Sequence, residues 1–191
     1  MEVLLQEIDD GEHREIFEEF IEIINPQKAK KIVYWCKLSN YTLDNHTLPY
    51  NTNETLALHL SLQLAALEKR GFTLFFWEVN DILVINNGEC FLLGNLEQIV
   101  PLYNKDPSQL LLRYPTIFPF PQNKCAPEVL KMAALPFITH RSASYYSLAL
   151  LCLQEVAKAN LSLEQIQGTK LFYFLERCLK DDPKERLCLY F

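Results

Sequence analysis

The sequence predicts a mixed α+β chain, mainly α, and three stretches carry that prediction. Residues 54–70 run without a breaker and are rich in Leu, Ala and Gln, which favours one long helix. The stretch 144–160, SYYSLALLCLQEVAKAN, is apolar nearly all round over its first three turns, as a helix buried at a domain centre must be. Residues 82–93, ILVINNGECFLL, set Asn87-Gly88 between two apolar runs, the strongest short-range hairpin signal in the chain.

Taken in order, EVLLQEI at 2–8 reads as a strand and Asp9-Asp10-Gly11 as a turn. EHREIFEEFIEII at 12–24 reads as an acidic-led helix with Ile16, Phe17, Phe20, Ile21 and Ile24 on one face, ended by Pro26. KIVYWCKLS at 31–39 is β-branched and aromatic enough for a strand, and the polar residues 40–53 read mostly as loop. In the helix from Glu54 to Arg70, Leu56, Leu60, Leu64 and Leu67 form the buried stripe. Lys69 and Arg70 suit the negative end of its dipole, and Gly71 can supply a left-handed cap. The hairpin follows, its Asn87-Gly88 read as a plain turn, then a Pro-rich stretch from Pro101 to Pro127 with little periodicity. After the central helix, TKLFYFLERCLKD is another helix, and Asp182-Pro183 sets a cap before a proline at the first position of a short last one.

With 191 residues, 49% hydrophobic and 22% charged, the chain reads as one domain with a real core. Its net charge of −6 and the lack of any basic block give nucleic acid or an anionic membrane no electrostatic source of attraction. An acidic N-terminus and no apolar run of about 18 residues point to an intracellular, cytoplasmic protein. Cys36, Cys90, Cys125, Cys152, Cys178 and Cys188 form no CxxC and read as buried apolar residues. His13, His46, His59 and His140 lack ligand spacing, and the sequons at Asn40, Asn45, Asn53 and Asn160 carry little weight without a secretory leader.

Four strings, in order, resemble protein kinases. Ala126-Pro127-Glu128 matches the A-P-E that closes the activation segment. SYYSLALL resembles the family's D-x-Y-S-L-G at the start of the central helix, with Ser144 in place of Asp and Ala149 in place of Gly. RCLKDDPKER resembles R-C-L-x-x-D-P-x-x-R, with Asp182, Pro183 and Arg186 at the matching positions. The hairpin resembles the one that joins the catalytic loop to D-F-G. The likeness spans roughly residues 30–187, and the final strings are similar to short kinase-like proteins of large DNA viruses. It implies a protein kinase-like helical C-terminal lobe over 31–191, a vestigial N-terminal lobe over 1–30, and a buried ion pair between Glu128 and Arg186.

Phosphoryl transfer in that family requires a Gly-rich loop, a strand Lys paired with a helix Glu, a base, and an Asn and an Asp on magnesium. No G-x-G-x-x-G occurs, and Gln6 stands where the resemblance expects the Lys. Phe76 falls at the catalytic base, Asp81 at the metal-binding Asn, and Gly94 at the Asp of D-F-G, followed by Asn95 and Leu96. Slipping the alignment by one residue brings Asn80 to the metal position without supplying a base.

The resemblance therefore implies a pseudokinase with no catalytic residue and no cofactor. It would act as a scaffold that binds a protein partner, such as an active kinase it regulates or competes with. The alternative is an unorthodox protein kinase or nucleotide-binding protein using Glu78, Asp81 or Asp106. Glu78 and Asp81 could share a cation, with Asp81 the candidate metal ligand, although solvated loop carboxylates are the simpler reading. Glu18 or Glu19 could stand for the helix Glu, against an ordinary acidic helix face. His140-Arg141 reads as loop. The aromatic runs FFW at 75–77 and YPTIFPFP at 114–121 either fill the abandoned cleft or form a docking patch.

Overall fold

The computed structural model describes residues 19–20, 22–23, 43, 48, 50–74, 76–85, 88–94, 99–103, 105–106, 108–113 and 121–186. The strands expected at 2–8 and 31–39 lie outside these residues, as does most of the helix expected at 12–24. Of that helix, residues 19, 20, 22 and 23 are helical and Phe20 is fully buried.

The fold is α+β. Helix α1 spans Tyr50–Lys69 and buries Leu56, Leu60, Leu64 and Leu67 completely. It starts four residues before Glu54, so residues 50–53, expected as loop, form its first turn. Nothing in Tyr50-Asn51-Thr52-Asn53 breaks a helix. Gly71 ends the turn after α1 at φ +84°, the left-handed conformation glycine tolerates.

Strand β1, Phe72–Leu74, then leads through a single 3-10 turn at Val79–Asp81 into strand β2, Ile82–Ile85. Strand β3, Cys90–Leu93, pairs antiparallel with β2, from Ile82 opposite Leu93 to Ile85 opposite Cys90. Four residues therefore join the strands, not the two of a tight Asn-Gly turn. Gly88 sits at φ +96° against Thr52 of α1, where an added Cβ would lie 2.3 Å from Thr52 Cγ2. Docking on α1 shapes this connection.

Two side chains of α1 close the outer edge of β3. Gln63 donates to Phe91 O at 3.0 Å and accepts from Leu93 N–H at 2.8 Å, while His59 Nδ1 accepts Phe91 N–H at 3.2 Å. Exposed strand edges invite further pairing, so this helix acts as the missing strand.

Strand β4, Ile99–Pro101, returns to pair with β1, and strand β5, Gln109–Leu112, follows, linked to it by a bridge between Leu102 and Leu110. The Pro-rich stretch from Pro101 to Pro127, expected to be irregular, thus contains a strand. The short helix α2, Pro127–Leu130, begins with its proline at the first turn. Strand β6, Phe137–His140, pairs with β5, so His140 closes a strand and does not lie in a loop.

Helix α3, Ala143–Lys158, is the central element. It buries Tyr145, Leu148, Ala149, Leu151, Cys152 and Val156, leaving a half-buried strip along Tyr146, Leu150, Leu153 and Gln154. Helix α4, Lys170–Cys178, is capped by Thr169, whose hydroxyl accepts Phe172 N–H at 3.1 Å. A last 3-10 turn at Pro183–Glu185 is capped by Asp182, which accepts Lys184 N–H at 2.9 Å.

Two apolar clusters result. One joins α1, the β2–β3 hairpin, α3 and α4; the other gathers Phe76, Val100, Leu102, Leu110, Leu112, Cys125, Ala126, Val129 and Ala143. Phe76 enters the second cluster and its neighbour Trp77 the first, each 2% exposed, which pins the loop before the hairpin from both sides.

Candidate functional site

The loop between β1 and β2 is tied to the start of α3 by buried hydroxyls. Ser144 donates its only hydroxyl proton to Leu74 O, so Thr73 is the donor in the 2.7 Å hydrogen bond between Thr73 Oγ1 and Ser144 Oγ. Trp77 Nε1 donates to Ser144 O at 3.3 Å. One turn on, Ser147 accepts Trp77 N–H at 3.2 Å and donates to Lys124 O at 2.5 Å. Thr73, Ser144 and Ser147 are all buried, and the network joins the pre-hairpin loop, the central helix and the approach to α2.

Phe76, which the resemblance would set in place of a catalytic base, is 2% exposed and belongs to the apolar cluster of Val100, Leu110 and Cys125. The idea of an exposed aromatic docking patch therefore fails for Phe76 and Trp77, while residues 114–120 lie outside the described part. Gly94 donates its N–H to Asp81 O at 2.7 Å, and a Cβ on it would come 2.9 Å from Leu83 Cγ. Its place is structural, closing the hairpin onto its own start. Gln6, Glu18, Asn95 and Leu96 lie outside the described residues.

Glu78, Asp106 and Glu19, candidates for metal or nucleotide chemistry, have other partners. Glu78 is ion-paired with Lys124, which corrects the picture of a purely solvated loop carboxylate. Asp106 accepts Ser108 N–H at 2.9 Å and Ser108 Oγ–H at 2.6 Å; these bonds hold its carboxyl below the usual range. Asp81 is half-buried, and Asn80 is exposed. Glu19 pairs with Arg70 at 2.6 Å on the surface. Among the described residues, no group of three or more His, Cys, Asp and Glu is arranged to hold a metal ion.

Among the described residues the thiols are likewise withdrawn from solvent. Cys90, Cys125, Cys152 and Cys178 are buried thiols; burial, then the charge of Glu78, pushes Cys125 up to about 12, and burial also raises Cys152. His140 Nδ1 lies 2.7 Å from Ser142 Oγ and 3.2 Å from Ser142 N, but Ser142 is fully buried at the start of α3 and donates to Pro183 O at 3.0 Å. This His–Ser pair fixes a junction between elements.

The second constellation joins α2 to the last 3-10 turn. Arg186 Nη1 and Nη2 donate to Glu128 Oε1 and Oε2 at 2.6 and 2.9 Å, bridging 58 residues of sequence. Arg186 also donates to Lys180 O at 2.7 Å and Asp181 O at 3.1 Å, and its guanidinium lies 4.6 Å from the Tyr146 ring centre. The Arg186 side chain is fully buried and that of Glu128 is 19% exposed. A planar fork bound to both carboxylate oxygens is the geometry at which Arg is not replaceable by Lys. Ala126 is buried, Pro127 starts α2 and Asp182 caps the final turn, so the five positions of the two strings meet in one structural joint.

Sequence reading singled out Ser144, Glu128 and Arg186 but missed Thr73, Ser147 and Lys124. Nothing local marks these three; their partners come from distant elements. No protein-family model matches the chain, and no curated protein matches it either.

Proposed function

We propose that the chain is a catalytically inactive, kinase-like interaction module, a helical C-terminal lobe that works as a cytoplasmic scaffold or as a competitor of active kinases. The observation that carries this reading is the bidentate Glu128–Arg186 joint, formed between an Ala-Pro-Glu helix start and an Asp-Pro-x-x-Arg turn. Ser144 supports it further: the residue in place of the family's Asp at the start of the central helix grips the backbone just before Phe76. The same reading takes the family's chemistry to be lost. Catalysis by positioning and charge stabilisation requires a base and metal ligands in the cleft, whereas Phe76 is apolar and buried, Glu78 is neutralised by Lys124, and Asp106 is bound within its own turn.

Among the described residues, no helix is long and apolar enough to cross a membrane. The test is twofold. Tagged protein expressed in cells is captured and its partners identified by mass spectrometry, with a protein kinase expected among them. Purified protein is incubated with labelled ATP, magnesium and generic protein substrates. Transfer of label above a heat-inactivated control would overturn the reading.

A further inference from the structure

The strand edges of this chain are treated unequally. Gln63 and His59 seal the outer edge of β3, but nothing among the described residues covers β6. Register identifies the open groups. Tyr103 N–H donates to Gln109 O at 2.8 Å, so the backbone groups of Gln109 and Leu111 face β4. Those of Leu110 and Leu112 then face β6, where Thr139 and Phe137 stand opposite them. By the same alternation the N–H and C=O groups of Ile138 and His140 point away from the sheet, in agreement with the next inward bond, Arg141 N–H to Ser108 O at 2.8 Å.

Pro136 and Arg141 flank this four-residue edge, but within it the devices that usually discourage pairing are missing. Phe137-Ile138-Thr139-His140 contains no Lys, no Pro and no bulge, and Ile138 is 44% exposed on the face it shares with half-buried Leu111.

We propose that β6 pairs antiparallel with β6 of a second copy of this chain, about a twofold axis at Ile138. In that register each Ile138 N–H donates to the Ile138 carbonyl of the other copy, and each His140 N–H reaches the carbonyl of Pro136. Pro136 has no N–H to give, so the ladder ends there. The outer face becomes a continuous row of Leu111 and Ile138 from both copies, the isologous arrangement a twofold requires. Charge permits it: His140, the one titratable side chain within 136–140, faces a proline, and Arg141 faces Leu135, itself 39% exposed. A joint of so few residues falls well below the standard interface of about 1,600 Å². The dimer is therefore reversible and depends on concentration. It does not rest on the kinase-like reading.

Sedimentation velocity of the full chain, from low to high micromolar, tests the proposal. Wild type should shift from monomer toward dimer. Ile138→Pro removes one outward N–H and no bond to β5, and Ile138→Lys sets like charges together at the axis; both should stay monomeric with an unchanged far-ultraviolet spectrum. If the proline variant fails to fold, the lysine variant still decides. With a short bis-maleimide linker Ile138→Cys should form a covalent dimer, because directly opposed residues of an antiparallel pair hold their Cβ atoms about 5 Å apart. Leu163→Cys, on an exposed site elsewhere, should not. A wild type that stays monomeric throughout, or a dimer that survives Ile138→Lys, would overturn it.

Discussion

Thr73 and Ser144, 71 residues apart in sequence, share a buried hydrogen bond whose proton comes from the threonine. Ser144→Ala would strand the Thr73 hydroxyl and the Leu74 carbonyl in the interior, at a cost of about 1–3 kcal/mol. Thr73→Val in the same background removes one stranded group, so the double variant should be more stable than the sum of the singles implies. A double-mutant cycle by urea denaturation reads the coupling, expected at about 0.5 kcal/mol or more.

Glu128→Ala should cost about 3–5 kcal/mol, since it leaves the fully buried Arg186 guanidinium without its counter-ion. Retained bonds to Lys180 O and Asp181 O place the loss toward the lower end of that range. Arg186→Lys should be nearly as damaging, because an ammonium cannot span both carboxylate oxygens. Denaturant midpoints measured at constant m-value check both.

Magnesium ATP at millimolar concentration should leave the melting temperature unchanged. A ligand at about 100 times its dissociation constant would add about 2.7 kcal/mol, an easily seen shift. An upward shift that Asp81→Ala abolishes would promote the nucleotide-binding alternative.

Gly88→Ala should destabilise far more than Gly71→Ala. Both glycines hold a positive φ, but only the first meets a neighbour, Thr52, whereas an added Cβ at Gly71 meets nothing within 4 Å. The Gly71 variant should lose about 1 kcal/mol, the backbone cost alone. Thermal melts of the two proteins make the comparison.

His59 gives stability a defined acid limb. Burial lowers its pKa from 6.5 to about 4, so between those values the unfolded chain binds the extra proton. Its contribution is complete above pH 6.5 and is lost as pH falls toward 4, when Nδ1 can no longer accept Phe91 N–H. Glu68, raised by burial, works in the opposite sense, so the measurement is a difference. His59→Asn, which keeps an acceptor and removes the titration, should show a flatter stability profile across this window.

Elements with strong local signals were legible in the sequence. The Leu stripe of α1, the apolar girth of α3 and the Asp182-Pro183 cap each follow from residues within a few positions of one another. Strands β5 and β6 were not, since QLLL and FITH are too short to show a period and become strands by pairing with each other. The hairpin was legible too, whereas the approach of Gly88 to Thr52, on another element, was not. At the site, motif likeness pointed to Glu128, Arg186 and Ser144. Lys124 gave no sign that it neutralises Glu78, because that pairing spans 46 residues and Lys124 is itself held by Ser147 of α3.

The ties from α3 back to β1 also govern the order of assembly. Closing α1 onto the β2–β3 hairpin needs contacts about 30 residues apart, such as Gln63 with Leu93. Seating Ser144 on Leu74 and Ser147 beneath Trp77 must close loops of 70 residues before either bond forms. Loop-closure entropy grows with that separation, and folding slows as contacts become more distant in sequence. The helix–hairpin unit should therefore collapse first, leaving the docking of α3 as the slow event. Only in that step does Trp77 gain its hydrogen bonds to Ser147 Oγ and Ser144 O, so the loop before the hairpin is the last part of the chain to be fixed in place.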